Sequence, residues 1–341
     1  MRKAVIQTYG LCIGYGVRGR RPKVVLGDIN VSLFTGEVTC LLGLNGAGKS
    51  TLLRTLCGFQ APISGSILLD GLSLRSYSQA ELALMTGVVL TEKTGVGGIT
   101  VDELVSLGRH PHTGFFGRLG KRDMEVVHRS TEAAGIAHKG SSYMAELSDG
   151  ERQKAMIAKT LAQECPVIIL DEPTAFLDVT GRIETMILLR KLSREQDKAI
   201  LLSTHDIEQA IRMGDRIWLI GEGRRMECGA PEDLILGGAF DSFFGKEDMR
   251  FDLSTGRINA PASIRAVVVD GDLPVARWVG NALMRNGWQP KAVEGDTSRV
   301  APLPYIRCVN SSDIILTLPS GEVRRAASVE ELLAVMRTLQ L

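Results

Sequence analysis

Gly43-Leu44-Asn45-Gly46-Ala47-Gly48-Lys49-Ser50-Thr51 stands directly after the apolar run Val38 to Leu42 and opens a segment of helical pattern. A GxxxxGK[ST] run between a strand and a helix has the context of a phosphate-binding loop. Glycines let backbone amides approach phosphate oxygens, and the start of the following helix favours negative charge. Lys49 is placed to reach the β and γ phosphates of a nucleoside triphosphate, and Ser50 to offer its hydroxyl to Mg²⁺. Gly43, Asn45, Gly46, Ala47, Gly48, Lys49, Ser50 and Thr51 are therefore candidate nucleotide contacts.

A second decisive stretch is Val167-Ile168-Ile169-Leu170-Asp171-Glu172-Pro173. Four apolar residues bury as a central strand, and two carboxylates follow at its C-terminal end, the edge of an open α/β sheet where ligands bind. Asp171 is the candidate ligand of Mg²⁺, through water, and Glu172 the group that orients and polarises an attacking water. Val38 to Leu42, Val167 to Leu170 and Ile200 to Ser203 alternate with helix-length segments, which predicts an α/β core with a mostly parallel sheet. Val24 to Leu33 and Ile67 to Leu69 read as shorter strands of an antiparallel flap, with turns at Gly27, Gly36 and Gly65. Thr100 to Ala162 reads as helical, interrupted by the glycine-rich Gly114 to Gly120.

A third motif, Leu147-Ser148-Asp149-Gly150-Glu151-Arg152-Gln153, begins as a helix cap, with Ser148 and Glu151 in S-x-x-E spacing. Its place between the other two motifs resembles the signature of the ABC ATPase family, a P-loop NTPase fold with a flap and a helical subdomain. The resemblance covers about residues 1–240. It implies that two copies pair head to tail, so that Ser148 and the Gly150 amide of one touch the γ phosphate held by the other. Asp149 stands where the family commonly has glycine, and its carboxylate is expected to point away. Tyr15, in the Gly14-Tyr15-Gly16 turn ahead of the first strands, resembles the aromatic that stacks on adenine. Leu177-Asp178 resembles the loop that touches the opposite subunit. Thr204-His205-Asp206 resembles the switch histidine segment, in which His205 contacts the γ phosphate and helps place the water. The glutamine usual after the strand Val88-Val89-Leu90 is replaced by Thr91 or Glu92.

Val101-Asp102-Glu103-Leu104-Val105 with Gly108-Arg109-His110-Pro111 resembles the ATPases of iron-siderophore, haem and cobalamin importers. The family reading implies ATP and Mg²⁺ as cofactors. Its partners are a second copy, an integral membrane permease and an external substrate-binding protein, and its place is the cytoplasmic face of the bacterial inner membrane, as a peripheral protein. Phe115 and Phe116 either face a permease helix or pack under their own loop. A soluble ABC ATPase for DNA repair or cofactor assembly shares the core motifs and is the alternative, but the chain lacks the long coiled-coil insertion or tandem cassettes common there.

Lys and Arg total 40 against 39 Asp and Glu, which offers no long-range field for nucleic acid, and none is expected as a partner. The six cysteines form no Cys-x-x-Cys pair, so neither a disulfide framework nor a zinc site is predicted. No stretch approaches the ~20 apolar residues of a membrane span. The organisation expected is a nucleotide-binding domain over 1–240, a linker over 241–263, and a small α/β domain over 264–341 that regulates the ATPase or adds dimer contacts. Asp270 and Asp272 around Gly271 read as a strand-ending turn rather than a metal or phosphate site.

Overall fold

A computed structural model describes residues 2–16, 22–90, 98–114, 117–221, 223, 225–240, 250–252, 257–259, 265–291 and 303–339. Thr91, Glu92, Phe115, Phe116 and most of the expected linker lie outside the described residues. The chain divides into two units, Met1–Lys246 with Phe251–Arg257, and Glu247–Arg250 with Ile258–Leu341.

The first unit is built around a sheet whose inner strands are buried from end to end. β1 (Ala4–Tyr15), β2 (Lys23–Ile29) and β3 (Ser32–Phe34) precede β4 (Val38–Gly43), every residue of which is buried. The helix α1 (Lys49–Leu56), the hairpin β5 (Ser64–Leu69) and β6 (Leu72–Ser73), the helix α2 (Gln79–Met85) and β7 (Thr86–Val89) follow. An arm of α3 (Val101–Ser106), α4 (Lys121–Ala133) and α5 (Asp149–Ala162) leads to β8 (Val167–Leu170), α6 (Val179–Glu195), β9 (Ala199–Thr204) and α7 (Ile207–Met213). β10 (Arg216–Ile220), β11 (Met226–Gly229) and α8 (Pro231–Leu236) complete the unit.

The central sheet runs β11-β10-β4-β9-β8-β7, parallel from β10 to β7, with β11 antiparallel at its edge. Side chains alternate across it, and both faces are covered. Cys40, Leu42, Ile168, Leu170, Ile200 and Leu202 join the core that holds Ile157 of α5 and Leu189 of α6. Leu41, Ile169, Leu201 and Trp218 join the core beneath the flap, with Leu52 and Leu56 of α1. Burying one such aliphatic side chain stabilises the fold by about 1.5–3 kcal/mol.

The flap differs from the expected pair of short strands. Its backbone is β1, twelve residues long, which pairs antiparallel with β2, β3 and β5. Register shifts along β1 break the alternation that marks a strand, so Ala4–Tyr15 carries no clean period-2 pattern. Tyr15 is thus the last residue of a strand, not part of a turn ahead of the first strands. Gly27 and Gly65, expected at turns, lie inside β2 and β5. Pro231 occupies the first turn of α8, a position that needs no backbone N–H donor.

The arm is fastened to the core by Arg109, 3% exposed, which donates to Asp123 at 3.0 Å, Glu164 at 2.7 Å and the Ala162 carbonyl at 2.7 Å. Gly108 beside it allows the chain to cross α5 closely: a Cβ there would lie 2.2 Å from the Lys159 carbonyl oxygen.

β12 (Arg250–Asp252) pairs with β13 (Arg257–Asn259) ahead of the main body of the second unit. The second unit's own sheet is formed by β14 (Arg265–Gly271), β15 (Trp288–Lys291), β16 (Tyr305–Asn310), β17 (Asp313–Thr317) and β18 (Val323–Ala326), in the order β15-β14-β16-β17-β18. The helices α9 (Leu273–Arg285) and α10 (Val329–Thr338) supply Leu283 and Met336 to its core, with Val267, Ile306 and Ile314 from the sheet. Asp270 accepts hydrogen bonds from Tyr305 at 2.6 Å and from its neighbour Gly271 at 2.7 Å, as expected of a strand end.

Gly108→Ala forces a methyl group into backbone, and overpacking of this kind costs about 2 kcal/mol. Thermal unfolding of the variant is expected some 4–8 °C lower; an unchanged melting temperature contradicts this crossing.

Candidate active site

The parallel register brings the ends of β4, β8 and β9 to one edge, with Leu42 opposite Thr204 and Leu170 opposite Leu202. After β4 the chain turns through Gly48, whose φ of 107° suits glycine alone, and a Cβ there would lie 2.6 Å from Val25. Lys49 opens α1, is 6% exposed, and donates from Nζ to the Gly43 carbonyl at 2.8 Å. Burial pulls its ammonium below lysine's ordinary value, and the charges of Glu172 and then Asp171 pull it back up. A desolvated cation at a helix start is strongly receptive to a phosphate oxygen. Ser50 is exposed beside it, while Thr51 is buried and its hydroxyl shares a 3.1 Å hydrogen bond with the Tyr15 hydroxyl. The Tyr15 side chain, 53% exposed, borders the loop.

Asp171 and Glu172 leave β8 beside this cation. Lys49 Nζ lies 4.0 Å from Glu172 Oε1. Ser203, fully buried in β9, donates to Asp171 Oδ1 at 2.6 Å and accepts the Glu172 backbone N–H at 2.9 Å. Glu172 has φ of 49°, a left-handed conformation that costs about 1 kcal/mol or more in a non-glycine residue, so the Ser203 hydroxyl secures a strained backbone. His205 follows β9, with Nδ1 3.8 Å from Glu172 Oε2, beyond hydrogen-bond reach. Hence Lys49, Asp171, Glu172 and His205 converge, with Tyr15 and Ser50 adjoining through the loop.

Ser148, Gly150 and Asp178 do not join this cluster by any hydrogen bond or ion pair among the described residues. Ser148 caps α5, accepting the Glu151 N–H at 3.3 Å while Glu151 accepts the Ser148 N–H at 2.9 Å. Asp149 turns back to Arg152 at 3.2 Å. A Cβ on Gly150 would meet nothing within 4 Å, so nothing among the described residues calls for glycine there. Asp178 caps α6 through the Gly181 N–H at 2.7 Å.

The family model described as "ABC transporter" matches residues 26–175. Over 242 residues the chain is 37% identical to the ferric enterobactin transport ATP-binding protein FepC of Escherichia coli strain K12, covering 71% of this chain and 88% of that one. The chain belongs to the ABC transporter ATP-binding proteins. The ABC cassette is also 42% identical over 231 residues to an uncharacterized ABC transporter ATP-binding protein of Methanocaldococcus jannaschii, covering 68% of this chain and 78% of that one. The cobalamin import ATP-binding protein BtuD of Halobacterium salinarum matches at 34% over 289 residues, 80% of this chain and 71% of that one. Among solved structures, the dimeric MJ0796, a bacterial ABC transporter cassette, superposes with a TM-score of 0.56 at 26% identity, covering 65% of this chain and 97% of that one. The protein is an ATP-binding and ATP-hydrolysing ABC subunit. Among its described residues no helix is long and apolar enough to cross a membrane.

Ser203 was not anticipated as a site residue. Its one signal is a hydroxyl directly after the apolar run Ala199 to Leu202, near the strand's C-terminal end. Ser203→Ala leaves the Glu172 N–H and an Asp171 oxygen without their shared partner, a loss of about 2 kcal/mol. The expected result is a melting temperature some 4–8 °C lower, together with reduced ATP turnover; wild-type values of both remove Ser203 from the site.

Proposed function

We propose that this chain energises an importer of iron-siderophore, haem or cobalamin complexes, as a homodimer that binds Mg-ATP between its copies. The observation that carries the reading is the convergence of Lys49, Asp171, Glu172 and His205 on one sheet edge. The dimeric cassette it resembles supports pairing, and relatives named for ferric enterobactin and cobalamin transport support the cargo class. Its partners are an integral membrane permease and an external substrate-binding protein, and it works on the cytoplasmic face of the membrane. Residues 1–240 form the nucleotide-binding domain and 241–263 the linker; 264–341 regulate hydrolysis or add dimer contacts.

In this reading the amides of Gly46, Ala47 and Gly48 and the Lys49 ammonium hold the β and γ phosphates, while Tyr15 stacks on adenine. Asn45 and Thr51 frame the loop. Ser50 and Asp171 are hard oxygen donors of the kind Mg²⁺ takes, and both adjoin the Lys49 cation, so the donor set fits the metal. Mg²⁺ bound there neutralises charge on the phosphates. Glu172 orients the attacking water and takes up its proton, and His205 contacts the γ phosphate. Ser148 and Gly150, whose face is open in the protomer, meet the nucleotide of the second copy, and Asp178 meets that copy's loop. ATP drives closure because it binds the paired state better than the separated one.

The test is reconstitution with the co-purified permease in vesicles. Glu172→Gln is expected to retain ATP binding, to lose turnover at least about 100-fold, and to abolish uptake of a ferric siderophore or cobalamin. Wild-type turnover in that variant removes the role of Glu172, and ATP-independent uptake removes the transport reading.

A further inference from the structure

Asp178 and His205 stand at the starts of two helices that one arginine joins. Arg182, in the first turn of α6, donates from Nε to the Leu177 carbonyl at 2.9 Å, and its Nη1 lies 3.7 Å from Asp206 Oδ2. Asp206 directly follows His205. Its other carboxylate oxygen accepts the Gln209 N–H at 3.0 Å, capping α7, and its own N–H donates to the Thr204 hydroxyl at 3.0 Å. A second tie runs from the Gln209 side-chain amide, which donates to the Arg182 carbonyl at 3.2 Å. The oxygen of that amide is buried and has no hydrogen-bond partner among the described residues. A buried acceptor left unpaired is destabilising, so the joint between α6 and α7 stands in an arrangement that does not satisfy all its groups.

We propose that Arg182 is a positioning residue for hydrolysis, tying the Leu177-Asp178 segment to Asp206 so that engagement of that segment by a second protomer moves His205 relative to Glu172. The inference rests on the roles given above to Glu172 and His205. The geometry makes a small movement sufficient: His205 Nδ1 is 3.8 Å from Glu172 Oε2, and a shift of less than about 1 Å brings the pair within hydrogen-bond distance. Stability does not account for the arrangement. Arg182 and Asp206 side chains are 41% and 30% exposed, and an ion pair so placed contributes little to folding. The guanidinium matters for its shape, since one planar fork reaches the Leu177 carbonyl and the Asp206 carboxylate together, and a lysine ammonium offers only a point charge.

The experiment measures ATP turnover, KM and melting temperature of the full-length chain. Arg182→Ala is expected to lose about tenfold in kcat while KM stays within about twofold, the signature of misplaced groups rather than lost binding. Its melting temperature should stay near wild type, and Arg182→Lys should not restore kcat. Asp206→Asn keeps a side chain that caps α7 but removes the charge, and should lose a similar factor. The double variant Arg182→Ala/Asp206→Asn should be no slower than the slower single one, because both changes break one coupling. A wild-type kcat in Arg182→Ala, or losses that multiply in the double variant, overturns the proposal. Glu172→Gln run alongside separates the two failures. Normal turnover there removes the reading of the site, whereas its loss beside a fully active Arg182→Ala removes only the tie.

Discussion

Parallel pairing of β4 with β9 and of β9 with β8 is the constraint from which the site follows. Because Leu42 lies opposite Thr204 and Leu170 opposite Leu202, the residues that leave these strands emerge side by side on one edge. The edge holds a buried lysine on one strand's exit, two carboxylates on the next, and a histidine on the third. Ser203 fixes the carboxylate pair from within the sheet, and the two apolar cores on either face keep the strands from slipping. A one-residue slip of β8 would exchange its buried faces and carry Asp171 away from Ser203.

In the proposed function one protomer is insufficient, and the same sheet edge accounts for it. The edge supplies one cation, Lys49, the loop amides and Glu172, but nothing among the described residues closes over the outer side. The capped start of α5 has the chemistry for closure: Ser148 presents its hydroxyl, the helix presents its positive end, and Gly150 leaves the backbone uncovered. Asp149, an added carboxylate at this start, is paired with Arg152, which lessens its opposition to a phosphate. Ser148 also caps its own helix through Glu151, but a cap does not call for the uncovered backbone at Gly150. These features are intelligible as a surface offered to a second nucleotide.

Much of this was legible in the sequence because it is local. Strands buried on both faces read as the apolar runs Val38 to Leu42 and Val167 to Leu170, and a loop that must approach phosphate reads as glycine. The cap at Ser148 was legible for the same reason, since its partner Glu151 is three residues away. What was hidden is non-local or irregular. β1 is the longest strand of the flap, yet its register shifts erase the alternation, so Tyr15 was placed in a turn. The strand β16 mixes Arg307 and Asn310 with apolar residues, and its pairing with β14 spans a long separation in sequence. Ser203 is an ordinary strand residue until its two partners from β8 are seen, and Arg182 an ordinary surface arginine until α7 lies beside it.

The central claim is that two molecules complete each nucleotide site, and specific ATPase activity against protein concentration tests it directly. With the oligomeric state followed by sedimentation at each concentration, activity per molecule is expected to rise with the dimer fraction and to vanish as the monomer alone remains. An activity per molecule that stays constant down to the solitary protomer would contradict the account.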